Sequence, residues 1–564
     1  MRRTSDAPRE LAPGDYLLRV TTADESAARD HSAIDAGIDS FELMLRAGTQ
    51  SAAVILRDHT DRLAHGVAVF AGAGNNGGDA YIVAAQLARA GVRVSLIAVA
   101  MPRTDDARRA EAIARRGAAR GAGDRLTFGA ESGTELLIID GLLGTGHRGV
   151  LRDALLACVS RMHDARSRGA TVVALDLPSG MDASTGQCAA GVVSADTTLT
   201  YGTFKRGLLL SRAVAGRVLL LDIDLGAHAH RADDAWHAAD ASSLERALPA
   251  IPWDAHKGRR GHLALIGGVT GMAGAIVLST RAALASGIGL ARAWVEAPGV
   301  SSLQQSVPQA TAHGWDPSTR SAGDAPWGHA LAIGPGLGRS DVSRTVMRAA
   351  LDRHPGVAVV LDADALTLLA SPSVPGTGSL EQTAETLHAW LGSGRATVCT
   401  PHPGEFARMT GVSLSDDWEA RVRLLREFAR ASGATIVLKG TPTLIASSDG
   451  APPIAMPRGS AVLATGGSGD ILTGIIGTLL AQGVPPRDAA VLGTTAHGLA
   501  AEHVARAAGG VRGLTLDDLL AALPGAWREL AAPTTFPPGV LAELPAPQGA
   551  ARRAVRPAIG SAAL

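Results

Sequence analysis

Two series of continuous apolar runs, separated by helical segments, constrain the fold of this chain more than any other feature. The first series lies between about residues 65 and 225 and includes VAVF (67–70), ELLIID (135–140) and TVVALD (171–176). Strands that are buried on both faces have this composition. Because helical segments separate the runs, the pattern predicts βαβ units and a three-layer α/β/α domain.

A second alternating series runs from residue 262 to 439, and helical stretches follow it to about 530. The fold class is therefore α/β, with two domains in a chain of 564 residues. We expect one domain at 15–228 and another at 245–530. Residues 229–244 lack a strand pattern and are expected to be a linker. The segment 531–564, rich in Pro, Ala and Arg, is expected to be a disordered tail.

Composition argues against several classes of function. The 53 basic and 53 acidic side chains give a net charge of zero, which does not favour binding to nucleic acid or to an anionic membrane. The three cysteines lie far apart without a CxxC pair, as expected in a reducing compartment. Residues 261–280 hold no charged side chain, but their five glycines favour a strand, a loop and a helix over a membrane span. We therefore expect a cytoplasmic protein.

The segment AGAGNNGGDAY (71–81) follows one strand and precedes a helix. Gly72, Gly74 and Gly77 satisfy the G-x-G-x-x-G pattern of nicotinamide dehydrogenases. That function also requires an acidic residue at the end of the next strand, and none precedes Asp105. The glycines still allow backbone N–H groups to approach a phosphate at the helix N-terminus. We expect a ligand site here rather than a capped turn alone.

Acidic residues end two further strands of the first series. Asp140 lies in IIDGLLGTGHRG (138–149) and Asp176 lies in ALDLPSGMDASTG (174–186). The carboxyl ends of parallel strands meet at one edge of a sheet, where ligands bind. A carboxylate at such a position is costly unless it is paired, metal-bound or catalytic. Each could be a helix cap, but together they indicate a cation site or an acid–base site.

The motifs GNNGGD, DGLLGTG, LDLPSGMD and TFKRGL, in this order, resemble the NAD(P)H-hydrate epimerases, which interconvert the R and S forms of the hydrated cofactor. The resemblance covers nearly all of residues 30–225. It implies that Asp176 is the catalytic carboxylate and that K⁺ is held by Asn76, Asp140 and Ser179. The implied substrate contacts are Asn75, Asn76, Gly77, Gly78, Asp79, Gly144, Thr145, Gly146, His147, Arg148, Gly149, Val150 and Asp176. Ala80 stands where the family usually has glycine, and we expect it to be tolerated.

In the second half, Thr465–Gly469 form a glycine-rich segment before Asp470 and an apolar helix. Backbone N–H groups of such a segment can bind a phosphoryl group, and Asp470 can accept a proton from the attacking hydroxyl. Lys439 ends a strand and can place its ammonium near phosphate. Asp362 and Asp364 are either a metal-binding pair or a pair that stabilises a turn, and the sequence does not decide between them.

The motifs GPGLG, DADAL, TPHPGEF, KGTPT and TGGSGD resemble the ADP-dependent NAD(P)H-hydrate dehydratases, a ribokinase-like family. The resemblance spans roughly residues 245–525 and implies a requirement for Mg²⁺. The implied hydrate contacts are Ala275, Gly336, His402 and Asp470. The implied nucleotide contacts are Lys439, Gly440, Thr441, Pro442, Thr443 and Gly469. Thr367 and Ser468 depart from the residues most frequent in the family.

The sequence thus predicts a bifunctional repair enzyme, an isomerase and a lyase, with a Rossmann-like first domain and a ribokinase-like second domain. Its expected substrates are the hydrates of NADH and NADPH together with ADP, and its products are NAD(P)H, AMP and phosphate. We expect a homo-oligomer without nucleic-acid or membrane partners. One alternative is a small-molecule kinase of the ribokinase type fused to a nucleotide-binding domain. The other is a module that only senses a nucleotide. The preference between NADH hydrate and NADPH hydrate stays open.

Overall fold

The computed structural model describes residues 17–119, 125–129, 133–230, 236–239, 244–315, 327–370, 379–392, 394–532 and 535–547. The chain divides into two compact units. The N-terminal unit contains Leu18–Trp236 and also the described residues that follow Thr535. The C-terminal unit contains His237–Thr534. Each unit is an α/β fold, and the predicted fold class is confirmed.

The N-terminal unit begins with nine strands and eight helices. They are β1 (Leu17–Thr21), α1 (Ala23–Asp35), α2 (Ser40–Asp58), α3 (Thr60–Leu63), β2 (Val67–Ala71), α4 (Asn75–Arg89), β3 (Val94–Ala98), α5 (Asp105–Ala119), β4 (Leu126–Phe128), β5 (Leu137–Gly141), α6 (Asp153–Ser167), β6 (Thr171–Leu175), β7 (Thr197–Tyr201), β8 (Phe204–Lys205), α7 (Arg206–Leu210), α8 (Arg212–Ala215) and β9 (Arg217–Leu221).

The remaining elements follow in chain order, and all but the last lie in or at the start of the C-terminal unit. They are β10 (Trp236–Ala239), β11 (His262–Ile266), α9 (Ala273–Ala285), β12 (Leu290–Glu296), α10 (Val300–Ser306), β13 (Thr311–Trp315), β14 (Ala330–Ile333), α11 (Asp341–Arg353), β15 (Ala358–Leu361), α12 (Asp364–Ala370), α13 (Leu380–Leu391), β16 (Thr397–Cys399), α14 (Pro403–Thr410), α15 (Trp418–Ser432), β17 (Thr435–Leu438), β18 (Thr443–Ala446), β19 (Ile454–Met456), α16 (Ser468–Ala481), α17 (Pro486–Ala507), α18 (Leu516–Ala531) and β20 (Val540–Leu544).

The main sheet of the N-terminal unit has the strand order β20-β9-β7-β6-β5-β2-β3-β4. Its strands are parallel except for β20, which runs antiparallel to β9. Alternate residues of β2 enter two different apolar clusters: Val67 and Val69 pack with α2 and α4, whereas Ala68 and Phe70 pack with α6. Because side chains alternate across a strand, these two clusters lie on opposite faces of the sheet. The unit is therefore a three-layer α/β/α fold.

The sheet of the C-terminal unit has the order β13-β12-β11-β14-β15-β16-β17-β18-β19-β10. It is parallel from β13 to β17, and β18 lies antiparallel to both of its neighbours. Helices α9, α16, α17 and α18 supply one large apolar cluster with this sheet. From Ile471 to Ala481 every residue of α16 is buried, which explains why that stretch of sequence is apolar all round.

Two expectations about the chain outside the motifs were wrong. The tail was expected to be disordered from 531, but β20 pairs with β9 and buries Val540, Ala542 and Leu544. The linker was expected to lack a strand, but β10 pairs with β19. Both strands are short and carry alanines, so tertiary pairing rather than intrinsic strand propensity forms them. Residues 548–564 of the tail lie outside the described part of the chain.

Membrane insertion was not expected, and no helix among the described residues is long and apolar enough to span a bilayer. The uncharged segment 261–280 contributes β11, a glycine-containing loop and the first part of α9, as its glycine pattern predicted.

Candidate active sites

A cleft of about 1100 Å³ opens in the N-terminal unit where β2, β5, β6 and β7 end. This volume lies at the upper end of the range for small-molecule pockets. Its wall includes most of the predicted contacts: Asn75, Asn76, Asp79, Gly144, Thr145, Gly146, His147, Arg148, Val150 and Asp176. Gly77, Gly78 and Gly149 are not part of the wall. The four separate motifs of the first half therefore meet at a single cleft.

The glycines of the loop before α4 are required by close backbone packing. A Cβ placed on Gly77 would lie 1.9 Å from the Gly72 carbonyl oxygen, and one on Gly72 would lie 1.8 Å from that of Leu142. Gly74 precedes α4 without a side-chain cap, so N–H groups of the first turn are available to an anion. The loop is thus a structural basis for phosphate binding.

Ala80, which departs from the family pattern, packs against Gly141. A Cβ placed on Gly141 would lie 2.5 Å from the Ala80 methyl, so the methyl group occupies the space above a glycine. Ala80 is fully buried and does not belong to the cleft wall. The departure leaves the approach of a ligand unobstructed.

Asp140, Ser179 and Asn76 form a buried group of oxygen atoms below the cleft. The Asp140 carboxylate accepts hydrogen bonds from Ser179 Oγ at 2.6 Å and from Ser179 N at 2.8 Å. Asn76 Nδ2 donates to the Leu143 carbonyl at 2.9 Å, while Asn76 Oδ1 is buried without a hydrogen-bond partner in the described structure. Burial raises the pKa of Asp140 to about 6, and the Ser179 hydrogen bonds oppose that rise. Asn76 and Ser179 both form hydrogen bonds with the Leu143 backbone, and Ser179 in turn contacts Asp140. Oxygen atoms of these three types suit a hard cation such as K⁺.

Asp176 is held by an ion pair that the sequence analysis did not identify. Lys205 Nζ lies 2.7 Å from Asp176 Oδ1, and Thr200 Oγ1 donates to the same oxygen at 3.3 Å. Lys205 also donates to the Tyr201 carbonyl at 2.8 Å, which fixes the ammonium. The other oxygen, Asp176 Oδ2, points toward Gly144, where a Cβ would lie 3.4 Å away. One carboxylate oxygen is anchored and the other is directed at the cleft.

The backbone of Asp176 is unusual as well, with φ of +63°. A non-glycine residue in this left-handed region is uncommon and is retained where the surroundings hold it in place. A sequence signal for Lys205 existed, because it is one of only three lysines in a chain whose other basic residues are arginines. Its partner could not be read from that signal.

Helix α1, which lies upstream of every motif, also contributes to the cleft. Its Asp30 lines the wall together with Asp79 of α4. Burial raises the pKa of both carboxyl groups, with Asp176 as a further cause. The cleft thus contains buried acids next to the Lys205–Asp176 ion pair.

In the C-terminal unit, Asp470 lies in the first turn of α16, directly after the glycine-rich segment. Burial raises the pKa of Asp470 to about 7; Asp362 raises it further and Lys439 opposes the rise. Gly467, which precedes α16, has φ of +97°, a conformation that favours glycine. A carboxyl group of this pKa beside an N-terminal turn can accept a proton near neutral pH.

Lys439 and Asp362 form a second Lys–Asp ion pair, in which the carboxylate is buried and the lysine is partly exposed. Lys439 Nζ lies 2.9 Å from Asp362 Oδ1, and Thr473 Oγ1 donates to Asp362 Oδ2 at 2.8 Å. A Cβ placed on Gly469 would lie 3.2 Å from Lys439 Nζ. Lys439, Gly469 and Asp470 therefore lie close together at the start of α16.

Asp364 has a different role from Asp362. It accepts hydrogen bonds from Gly338 N at 2.9 Å and from Arg339 Nε at 2.8 Å, and so stabilises the loop after β14. The question left open by the sequence is resolved in favour of separate structural roles. Among the described residues, no group of three or more His, Cys, Asp and Glu side chains is arranged to hold a metal ion.

His402 caps α14. Its Nδ1 accepts hydrogen bonds from Gly404 N at 3.0 Å and Glu405 N at 3.3 Å, while about half of the side chain stays exposed. The Lys439 backbone N–H donates to the Pro401 carbonyl at 2.9 Å, which places this loop beside the lysine. His402 is thus a helix cap whose Nε2 lies 3.4 Å from Glu405 Oε1 and whose ring is partly exposed.

The remaining predicted contacts lie in the first turn of α9, in the loop after β14 and in the segment between β17 and β18. A Cβ placed on Gly336 would lie 3.3 Å from the Ala275 methyl, so these two residues are in close approach. Ser279, one turn after Ala275, donates to the Asp470 carbonyl at 2.8 Å and links that helix to the site. Thr443 Oγ1 donates to the Gly440 carbonyl at 3.1 Å and closes the loop that contains Thr441 and Pro442. 

The sequence analysis did not single out His497, in the middle of α17. Burial lowers its pKa to about 4, and the Ser468 backbone forms a hydrogen bond with it.

The two units define a class of α/β protein with a polar site in each unit. Each site joins a glycine-rich helix N-terminus to a Lys–Asp ion pair. Residues 40–207 match the family described as YjeF-related protein N-terminus, and residues 263–524 match the NAD(P)H-hydrate dehydratase family.

Similar proteins cover most of the chain. It is 35% identical over 518 residues to the bifunctional NAD(P)H-hydrate repair enzyme Nnr of Escherichia coli strain K12, covering 89% of this chain and 92% of that one. The enzyme of the same description from Mycobacterium tuberculosis is 34% identical and covers 81% of this chain and 88% of its own. An ADP/ATP-dependent NAD(P)H-hydrate dehydratase structure from Bacillus subtilis, co-crystallised with ATP/Mg²⁺, is 29% identical with a TM-score of 0.42, covering 51% of this chain and 97% of that one. The chain belongs to the family of bifunctional NAD(P)H-hydrate repair enzymes.

Proposed function

We propose that the N-terminal unit interconverts the R and S forms of NAD(P)H hydrate and that the C-terminal unit dehydrates the S form with ADP, yielding NAD(P)H, AMP and phosphate. The observation that carries this proposal is the presence of two separate sites with differently held carboxyl groups. Asp176 is anchored by Lys205 in a large cleft. Asp470 stands outside the Lys439–Asp362 pair at a phosphate-type loop.

In the N-terminal cleft, Asp176 Oδ2 acts on the hydrated ring while Lys205 and Thr200 hold Oδ1. The first turn of α4, with Asn75 to Asp79, takes the phosphates of the dinucleotide. The loop of residues 144–150 closes the other side of the bound cofactor. Asn76, Asp140 and Ser179 would hold K⁺, which supplies positive charge below the substrate.

In the C-terminal unit, the chemical problem is that hydroxide leaves the ring poorly whereas phosphate leaves well. The oxygen of the ring hydroxyl attacks the β-phosphorus of ADP, and Asp470 accepts the hydroxyl proton. The bond between the β-phosphorus and AMP breaks, and AMP leaves. The N–H groups of the glycine-rich segment and the Lys439 ammonium stabilise the phosphoryl group in transfer. The ring nitrogen then expels phosphate, and loss of a proton from the adjacent ring carbon of the resulting cation regenerates the reduced cofactor.

The other residues of the second site are assigned by their loops. Ala275, Gly336 and His402 face the hydrate, and Lys439 to Thr443 with Gly469 hold the nucleotide. Mg²⁺ usually binds nucleotide phosphates with few protein ligands, and we propose that it enters with ADP. The small-molecule kinase alternative is not favoured by family membership. A cytoplasmic location and a homo-oligomeric state remain predictions.

The test is to incubate the full chain with pure R-hydrate, first without and then with ADP. Without ADP, chromatography should show the R/S ratio moving to equilibrium faster than in buffer alone. Addition of ADP should restore the absorbance of the reduced cofactor and release AMP. If the R/S ratio does not change, the epimerase assignment is wrong. If the absorbance of the reduced cofactor returns at the same rate without ADP, the dehydratase assignment is wrong.

A further inference from the structure

Three arginines and one lysine line the cleft of the N-terminal unit. Two of these cations are already engaged: Arg148 pairs with Asp24 at 3.1 Å, and Lys205 pairs with Asp176. Within the described residues, Arg103 and Arg152 form no ion pair, although both line the wall. Their charge is available to an anionic part of a ligand.

The position of Arg103 is fixed by contacts with the glycine loop. The Arg103 backbone N–H donates to the Ala73 carbonyl at 2.8 Å. Its neighbour Thr104 donates through Oγ1 to Asn75 Oδ1 at 2.6 Å. The exposed Arg103 guanidinium therefore belongs to a loop that is fastened to the start of α4, on the side of β3.

The strand order gives the direction of a bound dinucleotide. Asp176 follows β6, α4 follows β2 and Arg103 follows β3, in the order β6-β5-β2-β3. Three inter-strand spacings of about 4.8 Å separate β6 from β3, or about 14 Å. With the reactive ring at Asp176 and the diphosphate at α4, a dinucleotide extends its adenosine ribose toward β3. This orientation rests on the proposed function of the unit.

Dinucleotide sites of this βαβ type distinguish the two cofactors at the adenosine ribose. An acidic residue after the second strand binds the 2′-hydroxyl, whereas an arginine accommodates a 2′-phosphate. No acid lies between β3 and Arg103 in the sequence. The acids that follow have other partners: Asp105 pairs with Arg108, and Asp106 accepts from Ser40 Oγ at 2.7 Å.

We propose that Arg103 binds the 2′-phosphate of NADPH hydrate and makes the epimerase unit selective for it over NADH hydrate. The negatively charged 2′-phosphate of NADPH hydrate can bind the Arg103 guanidinium, which forms no ion pair within the described residues. The 2′-hydroxyl of NADH hydrate has no carboxylate after β3 to bind it. Arg152 follows β5, two strands away from β3, and does not contribute to this discrimination.

The experiment measures epimerisation of both hydrates by the full chain without ADP, for the wild type, Arg103→Ala, Arg103→Lys and Arg152→Ala. The wild type should have the higher kcat/KM for NADPH hydrate. Arg103→Ala should lower that value by about 10- to 100-fold, mainly through KM, and change NADH hydrate by less than about twofold, as expected for one charge-assisted contact. Arg103→Lys should restore part of the loss, and Arg152→Ala should leave the ratio of the two substrates unchanged.

A second readout uses inhibitors instead of substrates. Adenosine 2′,5′-bisphosphate should inhibit wild-type epimerisation more strongly than 5′-AMP, and Arg103→Ala should abolish that difference. If Arg103→Ala lowers kcat/KM equally for both hydrates, Arg103 does not select between them. The same conclusion follows if Arg152→Ala changes the ratio of the two kcat/KM values as much as Arg103→Ala does. Either result would overturn the assignment of Arg103 and leave the proposed function intact. No turnover of either hydrate by the wild type would overturn the proposed function and this inference with it.

Discussion

Each unit pairs a lysine with a buried aspartate, but only one of the two lysines contacts the carboxyl group that is proposed to act on the substrate. Lys205 Nζ lies 2.7 Å from Asp176 itself. Lys439 Nζ lies 2.9 Å from Asp362, and Asp470 stays outside that ion pair. One lysine anchors the acting carboxylate directly, and the other anchors a neighbour of it.

The difference follows from the chemistry proposed for each site. A general base works best when its pKa is near the working pH, and burial raises the pKa of Asp470 to about 7. Direct pairing with Lys439 would oppose that rise, because a nearby cation favours the ionised carboxylate. At the epimerase site the ion pair instead fixes the position of one carboxylate oxygen and leaves the other to the ligand.

The substitution expected to have the largest effect is Asp470→Asn, which keeps the shape of the side chain and removes the base. Dehydration should fall by about 10²- to 10⁴-fold, a typical contribution of a general base. Epimerisation by the same protein should be unchanged. Product formation with S-hydrate and ADP measures the first rate, and the R/S ratio without ADP measures the second.

Asp416→Asn is a matched control for that substitution, because Asp416 is an exposed aspartate outside the site. It should retain both activities. If Asp470→Asn dehydrates within a few-fold of the control, the base lies elsewhere and the contrast between the two carboxyl groups is lost.

The next prediction concerns the cation below the epimerase cleft. Asp140→Ala removes the carboxylate from the Asn76–Asp140–Ser179 group and should abolish epimerisation or make it insensitive to K⁺. Since Asp140 is fully buried and accepts hydrogen bonds from Ser179, Asp140→Asn is a second variant that keeps its size. Rates are measured in K⁺ and in choline at equal ionic strength.

Thermal unfolding and circular dichroism of the Asp140 variants check the folding of the N-terminal unit, and their dehydration rate checks the C-terminal unit. A variant that epimerises at the wild-type rate with the wild-type response to K⁺ would remove the cation site from the proposed mechanism.

The two ion pairs can be compared directly by replacing each lysine with methionine. Lys205→Met should lower kcat for epimerisation by roughly 10- to 100-fold with little change in KM, since a carboxylate displaced by about 1 Å can cost 10²-fold. Its dehydration rate should be normal. Lys439→Met should show the opposite pattern, with dehydration lost and epimerisation retained.

Thermal unfolding of both lysine variants separates misplacement of a carboxylate from loss of the fold, because an unpaired buried aspartate also destabilises a protein. If Lys205→Met changes KM alone, Lys205 contributes to binding and does not position Asp176.

A smaller effect is expected from pH alone. Because Asp470 must be deprotonated to accept a proton and its pKa is raised to about 7, dehydration should increase with pH and level off above about 7. Below that value kcat/KM should change about tenfold per pH unit. The measurement is kcat/KM for S-hydrate at saturating ADP from pH 5.5 to 9. If Asp470→Asn shows the same increase of kcat/KM with pH below about 7, that increase is due to the titration of another group.

Much of this site geometry could be predicted because it depends on where strands end. Asp140 lies near the end of β5 and Asp176 follows the adjacent parallel strand β6, so their place at one sheet edge follows from the apolar runs before them. Gly72 and Gly77 lie between a strand and a helix, which already indicated close backbone packing. Family resemblance then supplied the substrate.

The ion pairs could not be predicted, because they depend on side-chain directions across loops that are remote in sequence. Lys439 and Asp362 are 77 positions apart, and Asp362 could equally have joined Asp364 in a metal pair. The contribution of Asp30 was missed because α1 carries no motif. Strand β20 was missed because its partner β9 lies more than 300 residues upstream.

The comparison of the two compact units also predicts a small effect for the chain's last strand. β20 completes the sheet of the N-terminal unit, and its residues alternate between the core and the solvent. Leu544 is 4% exposed and Leu541 is 42% exposed. Leu544→Ala should destabilise the N-terminal unit by about 2–3 kcal/mol, as expected for a buried leucine, whereas Leu541→Ala should cost less than about 1 kcal/mol.

In the absence of denaturant both variants should epimerise at the wild-type rate, since β20 contributes no residue to the cleft. Epimerase activity measured against urea concentration gives the midpoint for this unit, and dehydratase activity in the same samples gives the midpoint for the other. Only the first midpoint should fall, and only in Leu544→Ala. Equal midpoints for the two leucine variants would show that β20 does not pack on β9 in solution, and a shared fall of both midpoints would show that the two units unfold together.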